Sequence, residues 1–153
     1  MAGWKKVQDG VTPGWYVDVT TSAGDTADVS TPIIDWIPSD KTFTVIYNTK
    51  AIATNSQNCD VAIDGAIDKD DTFVEVKADL IANQAGSATA AASYVPATTG
   101  VGMPLYKVRL DPDGDLNGAV VRVAIVALGL SAADASSMGS EGADIGGIGK
   151  DPS

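Results

Sequence analysis

The stretch LYKVRLDPDGDLNGAVVRVAIVAL, residues 105–128, decides the fold class. In its first part Tyr106, Val108 and Leu110 alternate with Lys107 and Arg109, the period-two pattern of a half-buried strand. Its last part, from Gly118, is rich in β-branched residues with Arg122 alone as a polar interruption, which predicts a central strand buried on both faces. Between them DPDGDLNG, Asp111–Gly118, reads as a polar hairpin loop joining the two strands.

The same alternation recurs upstream. Trp15, Val17 and Val19 oppose Tyr16, Asp18 and Thr20; Phe43, Val45 and Tyr47 oppose Thr44 and Ile46. Cys59, Val61 and Ile63 oppose Asp60, Ala62 and Asp64, and Val74 and Val76 oppose Glu75 and Lys77. Turn signals such as Asp9-Gly10, Asp64-Gly65 and Asp68–Asp71 separate the runs. Ile33–Ile37, held between Pro32 and Pro38, reads as a short edge strand or an extended lead-in. The alanines of Ala82–Ser93 would allow a short helix, but Gly86 and the Ser/Thr residues make it read as a loop. The prediction is an all-β domain of seven or eight strands: an antiparallel β-sandwich or a jelly-roll/barrel-like fold with extended N- and C-terminal segments. The chain divides into an N-terminal extended segment (1–13), a β-domain (14–130) and a Gly/Ala/Ser-rich C-terminal arm (131–153).

Composition removes several classes of function. A chain of 153 residues suits one core. Ten Lys plus Arg against twenty Asp plus Glu give a formal charge of -10, which repels nucleic acid phosphates and anionic lipid. With no histidine and Cys59 as the single cysteine, the usual nucleophilic triads, the usual zinc sites and intramolecular disulfides are excluded. The expectation is a non-enzymatic chain without cofactor, assembled in a reducing cytoplasm. MAGWKKVQDG lacks the apolar core of a signal peptide, and Ala119–Leu130 is shorter than the ~20 apolar residues of a membrane span. Neither nucleic acid nor a membrane is expected as a partner.

Three groups of residues invite a functional reading. Asp111, Asp113 and Asp115 fall at alternate positions, as in the first half of an EF-hand loop, and could take adventitious calcium. The motif then breaks, with Leu116 where the turn glycine belongs and Arg122 where the bidentate glutamate belongs. Trp4, Trp15 and Trp36 crowd the first quarter of the chain, either as core or as partner-binding surface; exposed, they would stack on sugars. Met138, Ile145 and Ile148 are the large apolar residues of the arm, which by itself cannot offset its ordering entropy and would order against a neighbouring subunit. The remaining acidic group, Asp64, Asp68, Asp70 and Asp71, reads as a solvated turn.

With its Thr/Ala/Asp-rich strands over 14–128 and its small-residue end segment, the chain resembles the small decoration or cement proteins of tailed-phage capsids. That resemblance implies a β-sandwich or jelly roll acting as an oligomer, bound to capsid protein or to copies of itself. It also implies a virion location after assembly in the host cytoplasm, with terminal arms clasping neighbours. The competing expectation is a carbohydrate- or receptor-binding β-sandwich of a fibre or adhesin, with an aromatic platform from Trp4, Trp15 or Trp36.

Overall fold

The computed structural model describes residues 3–7, 14–51, 57–85, 89–96, 98 and 101–126. The elements are β1 (Lys5–Lys6), β2 (Gly14–Thr20), β3 (Val29–Ser30), β4 (Phe43–Ala51), β5 (Asn58–Ala66), β6 (Val74–Ala85), β7 (Thr89–Tyr94), β8 (Leu105–Pro112) and β9 (Val120–Val126). They form a five-stranded sheet in the order β1-β2-β9-β4-β7 and a four-stranded sheet in the order β3-β8-β5-β6. Among the described residues every strand pairing is antiparallel. The expected all-β sandwich is therefore the observed architecture.

Alternation explains how two sheets share one core. The inward residues of the five-stranded sheet include Phe43, Val45, Tyr47, Val121, Val123 and Ile125, each no more than 1% exposed. Cys59, Val61, Ile63, Tyr106, Val108 and Leu110 face them from the other sheet, all fully buried. Phe43, Tyr94 and Tyr106 meet with ring centroids 5.2–5.6 Å apart and close one end of the core. The Tyr94 hydroxyl donates to the Val101 carbonyl (2.6 Å) and accepts from its N–H (2.8 Å), so the incoming loop is tied to that end.

β9 is central, as its β-branched run predicts, but it is not buried on both faces. Its burial alternates residue by residue, leaving Arg122 and Ala124 half-buried on the outer side. Nor does Asp111–Gly118 close a hairpin. β8 and β9 lie in different sheets, and the loop carries the chain across the sandwich. Leu116, at 2% exposure, belongs to the core, a burial that an all-polar hairpin turn would not supply. Asn117 (φ 52°) and Gly118 (φ 77°) then take left-handed conformations that re-aim the chain into β9. The Gly118 N–H donates to Ser22 O at 3.2 Å, and the Thr21 N–H donates to Ala119 O at 2.9 Å, fastening the crossing to the segment after β2.

Two other readings are corrected. The segment 82–93, read as a loop, contributes the last residues of β6 and most of β7. Its alanines pair with β4 in an unbroken register from Phe43↔Tyr94 to Asn48↔Thr89, so tertiary pairing overrides weak local preference. Residues 3–7, assigned above to the extended N-terminal segment, hold β1 and a fully buried Trp4. The Pro-flanked Ile33–Ile37 is an extended lead-in, touching β8 through the single bridge Ile34↔Tyr106.

Burial predicts a sharp contrast between two isoleucines. Ile63→Ala, in the core at 0% exposure, should lower unfolding free energy by about 2–5 kcal/mol. Ile67→Ala, at 74% exposure, should change it by less than about 0.5 kcal/mol. Urea unfolding of both variants checks this; equal losses would contradict the burial assignment.

Candidate functional site

The outer face of the five-stranded sheet carries a registered set of polar side chains. Register places Asp18, Arg122, Asn48 and Thr89 in one row across β2, β9, β4 and β7. The next row is Tyr16, Ala124, Ile46 and Ala91. The third contains Val126, Thr44 and Ser93. Adjacent strands lie about 4.8 Å apart, so a four-strand row spans roughly 14 Å.

The first and third rows are tied internally, and Arg122 ties the first to the second. Arg122 donates from Nε to Asp18 Oδ1 (2.8 Å) and from Nη2 to Asp18 Oδ2 (3.0 Å), a two-pronged pairing that fixes the guanidinium plane. Its Cζ stands 4.2 Å from the Tyr16 ring centroid, a cation–π contact that holds the tyrosine on the face. The Thr89 hydroxyl donates to Asn48 Oδ1 (3.1 Å), and the Thr44 and Ser93 hydroxyls share a hydrogen bond of 2.9 Å. Hydrogen bonding to Arg122 outweighs partial burial and holds the Asp18 carboxyl below the usual aspartate value. Arg122 is pushed up by the same bond and stays cationic. The face thus presents a planar cation, amide and hydroxyl groups, and one aromatic ring.

The outer face of the four-stranded sheet is organised differently. Arg109 donates from Nε to Asp64 (2.9 Å), from Nη1 to Asp28 (3.0 Å) and from Nη2 to Glu75 (2.6 Å). Three carboxylates share one guanidinium, which ties β5, β6 and the lead-in to β3 together. Asp64 is 8% exposed and sits within β5, not in a solvated turn; Asp68, Asp70 and Asp71 are exposed in the β5–β6 turn. Burial pushes the Cys59 thiol up to about 12, which leaves it protonated and unreactive at neutral pH.

Asp111 and Asp113 both lie near Asp60, whereas Asp115 is committed elsewhere. The Asp115 Oδ1 accepts from the N–H groups of Gly24 (3.1 Å) and Asn117 (2.7 Å), which commits it to the crossing loop. Asp111 on β8 lies opposite Asp60 and interacts with Asp28. Among the described residues, no group of three His, Cys, Asp or Glu side chains is arranged to hold a metal ion.

The three tryptophans are brought together, in the interior. Trp36 lies between Trp15, with centroids 4.4 Å apart, and Trp4, edge-on at 6.0 Å; none exceeds 5% exposure. The Trp4 Nε1 donates to Pro32 O at 3.3 Å, pinning the N-terminal strand against the lead-in. They are core, and the expected exposed tryptophan platform is not formed by them. Met138, Ile145 and Ile148 lie outside the described residues. Tyr16, Asn48 and Arg122 were missed as site candidates. Their signal was present as the polar and aromatic members of alternating runs, but only the register aligns them.

A separate cleft of about 510 Å³ is lined by Pro32, Ile33, Asp35, Ile67, Asp68, Lys69 and Leu105. The exposed apolar residues Ile67 (74%), Val74 (54%) and Val101 (56%) belong to the loops and strand ends of the same end of the sandwich.

No protein-family model matches the chain, and no curated protein is similar in sequence. Among solved structures it is similar to the CBM22-1 xylan-binding domain from Paenibacillus barcinonensis Xyn10C, with 10% identity and a TM-score of 0.46 over 86% of this chain and 85% of that one. It is also similar to the CBM22-1–GH10 modules of the Clostridium thermocellum xylanase 10B complexed with xylohexaose, with 14% identity and a TM-score of 0.41. That match covers 84% of this chain and 27% of the other.

Crowding of carboxylates yields a pH prediction. Desolvation raises Asp111, and the nearby Asp28 raises it further, so the folded state binds the Asp111 proton more tightly than the unfolded chain. Its favourable contribution exists in acid and is lost as pH rises through the raised value. Asp111→Asn should therefore raise the melting temperature at neutral pH by about 1–3 °C. The gain should vanish below the ordinary aspartate value of 3.8, where the native side chain is protonated in both states. Calorimetry across pH checks the sign.

Proposed function

We propose that this chain is a non-enzymatic binding module that holds an extended carbohydrate chain on the outer face of the five-stranded sheet. The observation that supports this is the registered array of Tyr16, Asp18, Arg122, Asn48, Thr44, Ser93 and Thr89 on one face. Sugars present apolar C–H faces edged by hydroxyls that both donate and accept. A fixed aromatic ring, with Arg122 stacked over one of its faces, together with amide and hydroxyl groups complements both features. Arg122 has five N–H donors and spends two on Asp18, so the pair is stiff yet still able to donate to a ligand. The ion pair and the hydroxyl–amide bonds orient these groups before a ligand arrives, which lowers the entropy cost of binding.

Titration calorimetry against soluble polysaccharides, xylan among them, tests the reading. At least one should bind, and Tyr16→Ala should weaken it about tenfold while leaving unfolding near its native midpoint. Failure of the whole panel, or binding indifferent to both Tyr16→Ala and Arg122→Ala, would remove the proposal.

A second reading, a decoration protein docked on a phage shell, draws on the exposed aliphatic residues Ile67, Val74 and Val101, which stand near a cleft lined by Leu105 and Ile33 together with the charged Asp35, Asp68 and Lys69. Exposed aliphatic residues at one end suit a protein partner better than a glycan. On this reading the chain cosediments with tailed-phage shells, and Ile67→Lys abolishes the cosedimentation; a chain that stays in the supernatant speaks against it.

A further inference from the structure

The four sheet sides are guarded unequally. One side of the four-stranded sheet ends in β6, whose pairing with β5 is broken by three register shifts and whose residues include Glu75, Lys77 and Asp79. Asp79 has a positive φ of 49°, so the edge is kinked as well as charged. β3 closes the other side with two residues. In the five-stranded sheet β1 is two residues long, both lysines, and the adjoining part of β2 carries Asp18. Bulges, charges and brevity are the means by which sheet edges resist pairing with another chain.

β7 has none of them. Its six residues, TAAASY, include no charge and no proline, and their register with β4 is unbroken. β7 is the last strand of its sheet, and among the described residues no strand pairs with its outer edge. An edge strand exposes backbone N–H and C=O groups that complement another strand.

We propose that β7 is a self-association edge, pairing antiparallel with β7 of a second copy across a twofold axis centred on Ala91. In that register Thr89 faces Ser93 of the other copy, Ala90 faces Ala92, and Ala91 faces itself. Each pair matches outer-face residue with outer-face residue and inner with inner, as an antiparallel ladder requires. No like charges meet at the seam, although each chain carries a formal charge of -10. The Thr89 and Ser93 hydroxyls are already held by Asn48 and Thr44, so the seam is ordered before pairing. The product is one continuous ten-stranded sheet whose outer face runs across the axis. A strand–strand seam is small beside standard protein interfaces, so the pairing is weak singly and effective where copies are held close.

Sedimentation of the full chain over a wide concentration range tests this. The native chain should pass from monomer to dimer. Ala91→Lys and Ala91→Glu, exposed substitutions that preserve the circular dichroism spectrum, should each weaken the dimer about fivefold by setting like charges face to face. An equimolar mixture of the two should recover the lost affinity. The lysine variant is the stricter readout, because it reduces the net negative charge that opposes association. A native chain that stays monomeric, variants that dimerise like the native chain, or a mixture that fails to recover would each overturn the proposal. So would loss of the dimer on deleting 131–153, which would make the arm the contact.

Discussion

Everything in this molecule hangs on the alternation of β9. Its odd-numbered residues Val121, Val123 and Ile125 enter the core, and its even-numbered residues do not. The strand is hydrogen-bonded to β2 on one side and β4 on the other, so it aligns both neighbours at once. A slip of one residue would turn Arg122 into the apolar interior and push Val123 into water, at a cost no surface contact could offset. Core packing therefore fixes the register, and the register sets Arg122 between Asp18 and Asn48.

Charge is distributed on the same logic. The chain has two arginines, and each anchors the outer face of one sheet. Arg109 is fanned across three carboxylates and serves cohesion. Arg122 is paired with one carboxylate and stacked on Tyr16, which leaves donors available. Two sheets of one sandwich thus have different chemistry outside and the same chemistry inside. Elsewhere burial raises Asp111, with the neighbouring Asp28 adding to it, and with a formal charge of -10 a partner that neutralises or avoids the acidic groups is favoured over one that adds negative charge.

How much of this is legible in the sequence depends on whether a feature is local. Period-two runs such as Phe43–Tyr47 and Tyr106–Leu110 reveal strands and their inward faces, because side-chain alternation follows from the backbone itself. The split of β8 and β9 between two sheets is not local. A short polar loop between alternating runs favours a hairpin, and the sign against it was a single leucine, Leu116, among aspartates. β7 was hidden for another reason: alanine has little strand preference, so its state is decided by β4 beside it. The tryptophans were legible as important but not as buried, since a large aromatic serves a core and a binding face equally well. The Tyr16–Arg122–Asn48 row combines residues 16, 48 and 122, and no spacing along the chain announces it.

The most direct test of the account is an NMR measurement of which strands flank β9. Nuclear Overhauser contacts between the backbone protons of Val123 and those of both Val17 and Tyr47 are predicted, with none linking β8 to β9 as a ladder. Contacts running from Tyr106–Leu110 to Val120–Val126 in hairpin register would contradict it. They would place Arg122 on a different face and dissolve the polar row with it.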